Sequence, residues 1–142
     1  MRQRVNAAVT DLSTPPPAAS EFKSRGGLAR IWRAFLYSRA GFAAAFRHEA
    51  AFRQELALGV PMVLAAWWLA PTPLQALALV AVVVLVWIVE IVNSAIEALA
   101  DAVSTEHHPL LGRAKDYGSA AVMLALVLAG LTWAVVLGAR FL

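Results

Sequence analysis

Residues 76–101 read ALALVAVVVLVWIVEIVNSAIEALAD. From Ala76 to Val89 there is no ionisable residue and no Asn, Gln, Ser or Thr, and then Glu90, Asn93, Ser94, Glu97 and Asp101 follow in close succession. An apolar run of this length is a membrane-spanning helix, for which about 20 residues suffice. Carboxylates are costly in hydrocarbon, and those kept there mark a functional site facing the bundle interior. At about 100° per helical residue, with Glu90 set to zero, Asn93 falls near −60°, Ser94 near +40°, Glu97 near −20° and Asp101 near +20°. The acidic groups therefore share one stripe, and Ile91, Val92, Ile96 and Leu99 occupy the other faces.

Outward from this helix, predicted over about 74–103, the chain divides at polar and proline-rich punctuation. Pro71-Thr72-Pro73 ends the segment before it in a tight turn, so a first span is predicted over about 48–70, anchored at its far end by Trp67 and Trp68. The connection Ser104-Thr105-Glu106-His107-His108-Pro109 leads to a third span over about 113–139. Upstream, Ile31, Phe35, Phe42 and Phe46 alternate with Arg30, Arg33, Arg39 and Arg47, the pattern of an amphipathic helix on a membrane surface, predicted over about 28–47. Residues 1–27, with Pro15-Pro16-Pro17 and few bulky apolar groups, read as a disordered arm. The expected fold is thus an all-α membrane protein: an N-terminal amphipathic surface helix plus three transmembrane helices in a helical bundle, with residues 28–142 forming one membrane domain.

Composition agrees and removes whole classes of function. The 142 residues are 61% hydrophobic and 15% charged, with a mean hydropathy of +0.67. Three spans consume nearly all of that length, so any chemistry falls to the helices themselves. The absence of Cys excludes thiolate chemistry and disulfides, and no GxxxxGK[ST] phosphate loop occurs. The net charge of +3 does not point to nucleic acid. Nine of the twelve Lys and Arg residues lie at or before Arg53, two more, Arg113 and Lys115, lie in the second connection, and the Pro71–Pro73 turn has none. This distribution puts the N-terminus and the second connection on the cytoplasmic side.

Carboxylates and an amide oxygen are the hard ligands that Mg²⁺ prefers, with phosphate oxygens and water completing its shell. Arg113, Lys115 and Asp116 reach the same membrane face as the shallow end of the stripe, and Glu49 and Glu55 add carboxylates from the first span. Cations for phosphates, carboxylates for a metal and an apolar surround for a lipid thus meet at one interface. Asn and Ser also serve as interhelical glue, and Arg113 and Lys115 also satisfy the positive-inside rule, but glue has no need of about three negative charges in hydrocarbon. The adjacent pair His107-His108 suits a polar loop or a nucleotide contact better than a shared metal ion.

Val89-Glu90-Ile91-Val92-Asn93-Ser94-Ala95-Ile96-Glu97, then Gly112-Arg113-Ala114-Lys115-Asp116 and Gly118-Ser119-Ala120-Ala121, resemble the signature of the prokaryotic diacylglycerol kinase family. Glu49-Ala50-Ala51-Phe52-Arg53-Gln54-Glu55 resembles the first-helix motif of that family, and the likeness runs from about Leu28 to Leu142. The resemblance implies a small integral kinase of the bacterial cytoplasmic (inner) membrane that moves the γ-phosphoryl of MgATP to diacylglycerol and yields phosphatidic acid. It implies a homotrimer with active sites shared between subunits. By position, Glu90 would be the general base and Asn93 would order the catalytic site. Glu49 and Glu97 would hold Mg²⁺ and border the ATP, whose other contacts would be Arg30, Tyr37, Glu106, His107, His108, Lys115 and Asp116. Arg30, Gln54, Glu90 and Ser119 would meet the lipid. His107 in place of Tyr, Phe35 in place of a small residue and Arg39 in place of Trp depart from the family pattern at the adenine pocket and lipid-entry surface. Two alternatives remain at this point: phosphorylation of undecaprenol by the same machinery, and a non-catalytic membrane subunit or proton or ion carrier using the stripe as a relay.

Overall fold

The computed structural model describes residues 27–106 and 108–141. Four helices follow one another: α1 (Gly27–His48), α2 (Ala50–Leu69), α3 (Pro73–Val103) and α4 (Pro109–Phe141). No strand occurs among the described residues. The expected arm, 1–27, lies outside them except for Gly27, which opens α1. By packing, the chain divides into one unit ending at Ser38 and another starting at Arg39.

Each break between helices has a local cause. Glu49 alone interrupts α1 and α2, with an extended backbone at φ −101° and ψ 113°. The Arg53 guanidinium then donates to the carbonyls of Phe46 (3.1 Å) and Arg47 (3.2 Å), which lie in the last turn of α1. A cation on those carbonyls also suits the negative end of the helix dipole. Between α2 and α3, Pro71 and Pro73 withhold backbone donors, and the Thr72 hydroxyl accepts from the Gln75 amide at 3.3 Å as an N-cap. Helix α4 starts at Pro109, four residues before the predicted span, because proline is pre-set for a first helical turn. The His108 ring caps it, Nδ1 accepting from the Leu110 amide at 3.3 Å.

Helix α3 is the centre of the packing and contacts both α2 and α4. Ala66 of α2, Leu79 and Val83 of α3, and Trp133 and Val136 of α4 form one buried cluster; Val86 with Ala125 and Ala129 forms a second, between α3 and α4. Ala66, Ala125 and Ala129 let the backbones approach closely at these contacts. Both α3 (31 residues) and α4 (33 residues) are long and apolar enough to cross a membrane. Their outer faces expose Leu77, Ile88, Val92, Leu124, Leu131 and Val135. So much open apolar surface suits lipid tails or further subunits rather than water.

Gly59 sets how near α2 and α3 come. A Cβ there would lie 2.7 Å from Trp87 Cζ2 and 2.8 Å from Val83 Cγ1. The same approach lets Trp87 Nε1 donate to the Glu55 carbonyl at 3.3 Å. Gly59→Ala should therefore lower stability although alanine favours a helix by about 1 kcal/mol, because overpacking costs about 1–3 kcal/mol. A shorter inactivation half-life in detergent at raised temperature is the expected readout.

Candidate functional site

The acidic stripe of α3 runs from the interior to the surface. Glu90 is 4% exposed and Asn93 8% exposed. Glu97 is half-buried and Asp101 open. The Asn93 amide nitrogen donates to Glu97 Oε1 at 3.0 Å, which ties two positions of the stripe together. The other Asn93 atom, Oδ1, is buried with no protein partner among the described residues. It lies against Gly118 of α4, where any Cβ would overlap it.

Carboxylates from α2 and the α1–α2 break gather at the same place. Glu49 and Glu97 both lie within Coulombic reach of Glu90, and Glu90 within reach of Glu55. Glu49 borders a groove of about 680 Å³ whose far wall is Ile91, Ser94, Ala95 and Ala98 of α3. Glu49 is itself the single extended residue between α1 and α2. Glu55 Oε2 is buried without a partner among the described residues, at the head of an apolar groove of about 560 Å³ that continues along Gly59, Met62, Val83 and Leu126.

Beyond Glu97 the stripe meets α4. Lys115 Nζ donates to Asp101 Oδ1 at 2.5 Å. Together they border a polar cleft of about 640 Å³ with Ser104, Glu106, His108 and Gly112. The Ser104 hydroxyl, at the C-terminus of α3, accepts from the Glu106 amide at 3.0 Å and holds the connection close to the cleft. Apolar grooves and buried acids thus lie along the apolar length of α3, and a cleft with a cation lies at its polar end.

The sequence matches a known family. The chain matches the model for prokaryotic diacylglycerol kinase over residues 36–137. It is 50% identical over 118 residues to a diacylglycerol kinase of Pseudomonas aeruginosa, covering 83% of this chain and 96% of that one. With a diacylglycerol kinase of Escherichia coli K12 it shares 47% identity over 115 residues, 81% and 94% of the two chains. A Helicobacter pylori diacylglycerol kinase is 35% identical over 125 residues, 88% and 92% of the chains. The chain belongs to the prokaryotic diacylglycerol kinase family.

For a member of the diacylglycerol kinase family, the structure brings Glu49, Glu90, Asn93 and Glu97 near one another and pairs Lys115 with Asp101, one helical turn beyond Glu97. Asp116 and Ser119 follow Lys115 on α4 and are exposed, as is Gln54 on α2. Glu106 and His108 are exposed at the cleft, and His107 lies outside the described residues. Arg30 and Tyr37 are exposed on α1, in the unit ending at Ser38. Two contacts add to this picture. Asp101 pairs with Lys115, a contact set by the register between α3 and α4 that helical periodicity does not reveal. Gly118 sits against Asn93, and its signal in sequence is a glycine kept in the middle of a long helix, where it is otherwise unfavourable. Among the described residues, no three His, Asp or Glu side chains converge tightly enough to hold a metal ion alone.

Proposed function

We propose that this chain is a membrane-embedded diacylglycerol kinase, transferring the γ-phosphoryl of ATP to the free hydroxyl of diacylglycerol to give phosphatidic acid. The observation that carries the reading is the pair of buried residues Glu90 and Asn93, with half-buried Glu97 bonded to Asn93, in a largely apolar helix of a family member. Glue between helices would not call for carboxylates packed this close.

In the proposed reaction, diacylglycerol lies in the apolar surround with its hydroxyl at Glu90, and ATP enters from the polar cleft. The hydroxyl oxygen forms a bond to the γ-phosphorus as the bond to the β–γ bridging oxygen breaks. Glu90 takes the hydroxyl proton, and ADP leaves with the electron pair. Phosphoryl transfer asks the protein mainly for positioning and charge stabilisation. Asn93 holds Glu97 in place, Lys115 offers its ammonium to the phosphates, and Asp116, Glu106, His107 and His108 border the nucleotide. Arg30 and Tyr37 contribute from α1, and Arg30, Gln54 and Ser119 contact the lipid. The donor set available to a metal consists of carboxylate oxygens, which fits Mg²⁺; that ion usually takes one or two protein carboxylates and leaves the rest to phosphate and water. Glu49 and Glu97 would hold it, and when bound with ATP it supplies neutralisation of phosphate charge. Glu49→Ala and Glu97→Ala should each move the Mg²⁺ titration of the rate to about tenfold higher concentration. An unchanged titration in both variants would remove these residues as ligands.

The same reading orders the molecule in a membrane. Helix α2, with Arg53 and Glu55 at its start and exposed Trp67 and Trp68 near its end, is the first span; α3 and α4 are the second and third. Helix α1 lies on the surface, since it exposes Leu28, Ile31, Trp32 and Phe35 alongside its arginines. Residues 28–142 then form one catalytic domain after the arm. The distribution of basic residues puts the N-terminus and the site on the cytoplasmic side of the bacterial inner membrane. A homotrimer with composite sites is proposed because an apolar groove of about 550 Å³ between α3 and α4 reaches Asn93 and stays open on a single chain. A neighbouring subunit would close it.

Purified protein in detergent micelles, given ATP and Mg²⁺, should phosphorylate diacylglycerol in preference to undecaprenol. Preference for undecaprenol would overturn the acceptor and leave the transfer chemistry standing. No phosphorylation of either lipid would overturn the kinase reading.

A further inference from the structure

The pair between Asp101 and Lys115 joins the last turns of α3 to the second turn of α4. The side chains are 60% and 38% exposed respectively, and so open a pair adds little to the stability of a fold. Its consequence is placement. Asp101 lies four residues past Glu97 on the same stripe, so the tether fixes the ammonium about one helical turn from Glu97. A free lysine stem would instead sample many rotamers over the mouth of the cleft.

Building on the kinase reading above, we propose that Asp101 is a positioning residue for phosphoryl transfer: it holds the Lys115 ammonium at the cleft wall so that the incoming triphosphate meets a pre-placed cation. An ammonium carries three donors, and Asp101 accepts from one of them. The remaining two are available to phosphate oxygens. The carboxylate also has an opposing effect, because its negative charge faces the same cleft and repels ATP. The two effects separate in kinetics. Placement acts on the transition state, whereas the repulsion acts on ATP binding.

Asp101→Ala should lower kcat about tenfold, in line with the cost of a misplaced catalytic group. The KM for ATP should stay level or fall, and the KM for diacylglycerol should not change. Equilibrium binding of a non-hydrolysable ATP analogue should be equal or tighter. Asp101→Glu, which keeps the charge, should recover most of the rate. Lys115→Met should be the more damaged single variant, and Lys115→Met combined with Asp101→Ala should be no worse than Lys115→Met alone. A wild-type kcat in Asp101→Ala would overturn the proposal, as would a double variant in which the two losses multiply. A rise in both KM values together would also overturn it, since that pattern reports general damage to the bundle. Lys115→Met working at the wild-type rate would sink the role of Lys115 and this proposal with it, while wild-type diacylglycerol phosphorylation would still stand.

Discussion

Glu90→Gln is expected to reduce ATP-dependent diacylglycerol phosphorylation by about 10³-fold, within the usual contribution of a general base, while the protein stays folded and assembled. Gln keeps the shape of the side chain and cannot accept the hydroxyl proton. Because Glu90 is almost wholly buried in an apolar helix, losing the carboxylate also removes a desolvation cost and its repulsion with Glu49 and Glu97. Thermal stability in detergent should therefore be equal or higher in the inactive variant. That opposition separates a residue kept for chemistry from one kept for packing. Phosphorylation by Glu90→Gln at the wild-type rate would exclude Glu90 as the base.

The second large effect is expected at a residue with no side chain. Gly118→Ala puts a methyl group where Asn93 Oδ1 now lies. The amide must then rotate or move, and its bond to Glu97 is lost or bent. Overpacking of this kind costs about 1–3 kcal/mol, and displacement of a positioning group by about 1 Å costs about 10²-fold in rate. The variant should fold less stably and retain about 1% of the activity. Gly118→Ser should do no better, since it carries the same Cβ. Full activity in Gly118→Ala, measured by initial rates with diacylglycerol and ATP, would mean that Asn93 does not order the site.

The elements that could be read without coordinates are those that depend on local pattern. The period of the apolar residues gives α3 and the single face shared by Glu90, Asn93, Glu97 and Asp101, and the observed fall in burial toward the solvent extends that face into a depth gradient. The Pro71–Pro73 punctuation gives the α2–α3 turn, and the Thr72–Gln75 cap was available in the same residues as a Thr followed three positions later by Gln. What period and punctuation leave open is register between helices. That Lys115 meets Asp101, that Gly118 lies under Asn93 and that Trp87 crosses Gly59 to reach the Glu55 carbonyl all depend on how far one helix slides along another. The start of α4 at Pro109 was hidden for a different reason: Gly112 and the polar connection resemble loop, and the His108 cap that joins Pro109 in opening the helix depends on a ring orientation. The site residues were recognisable mainly because their motif resembles a known family. Physics alone would have stopped at a metal- and phosphate-binding membrane interface.

The turn between α2 and α3 has a further consequence for how such a chain reaches its membrane. Only Ala70, Pro71 and Thr72 separate the two helices, and none carries a charge. In the proposed topology α2 and α3 can enter the bilayer together as a helical hairpin, with almost nothing hydrophilic to carry to the far side. The burden of translocation then falls on α4, whose Arg140 is the one cation delivered across. Biogenesis would divide into an easy first step made by the hairpin that bears Glu90 and a harder second step made by the helix that bears Lys115, so the site would come into being only when the second step is complete.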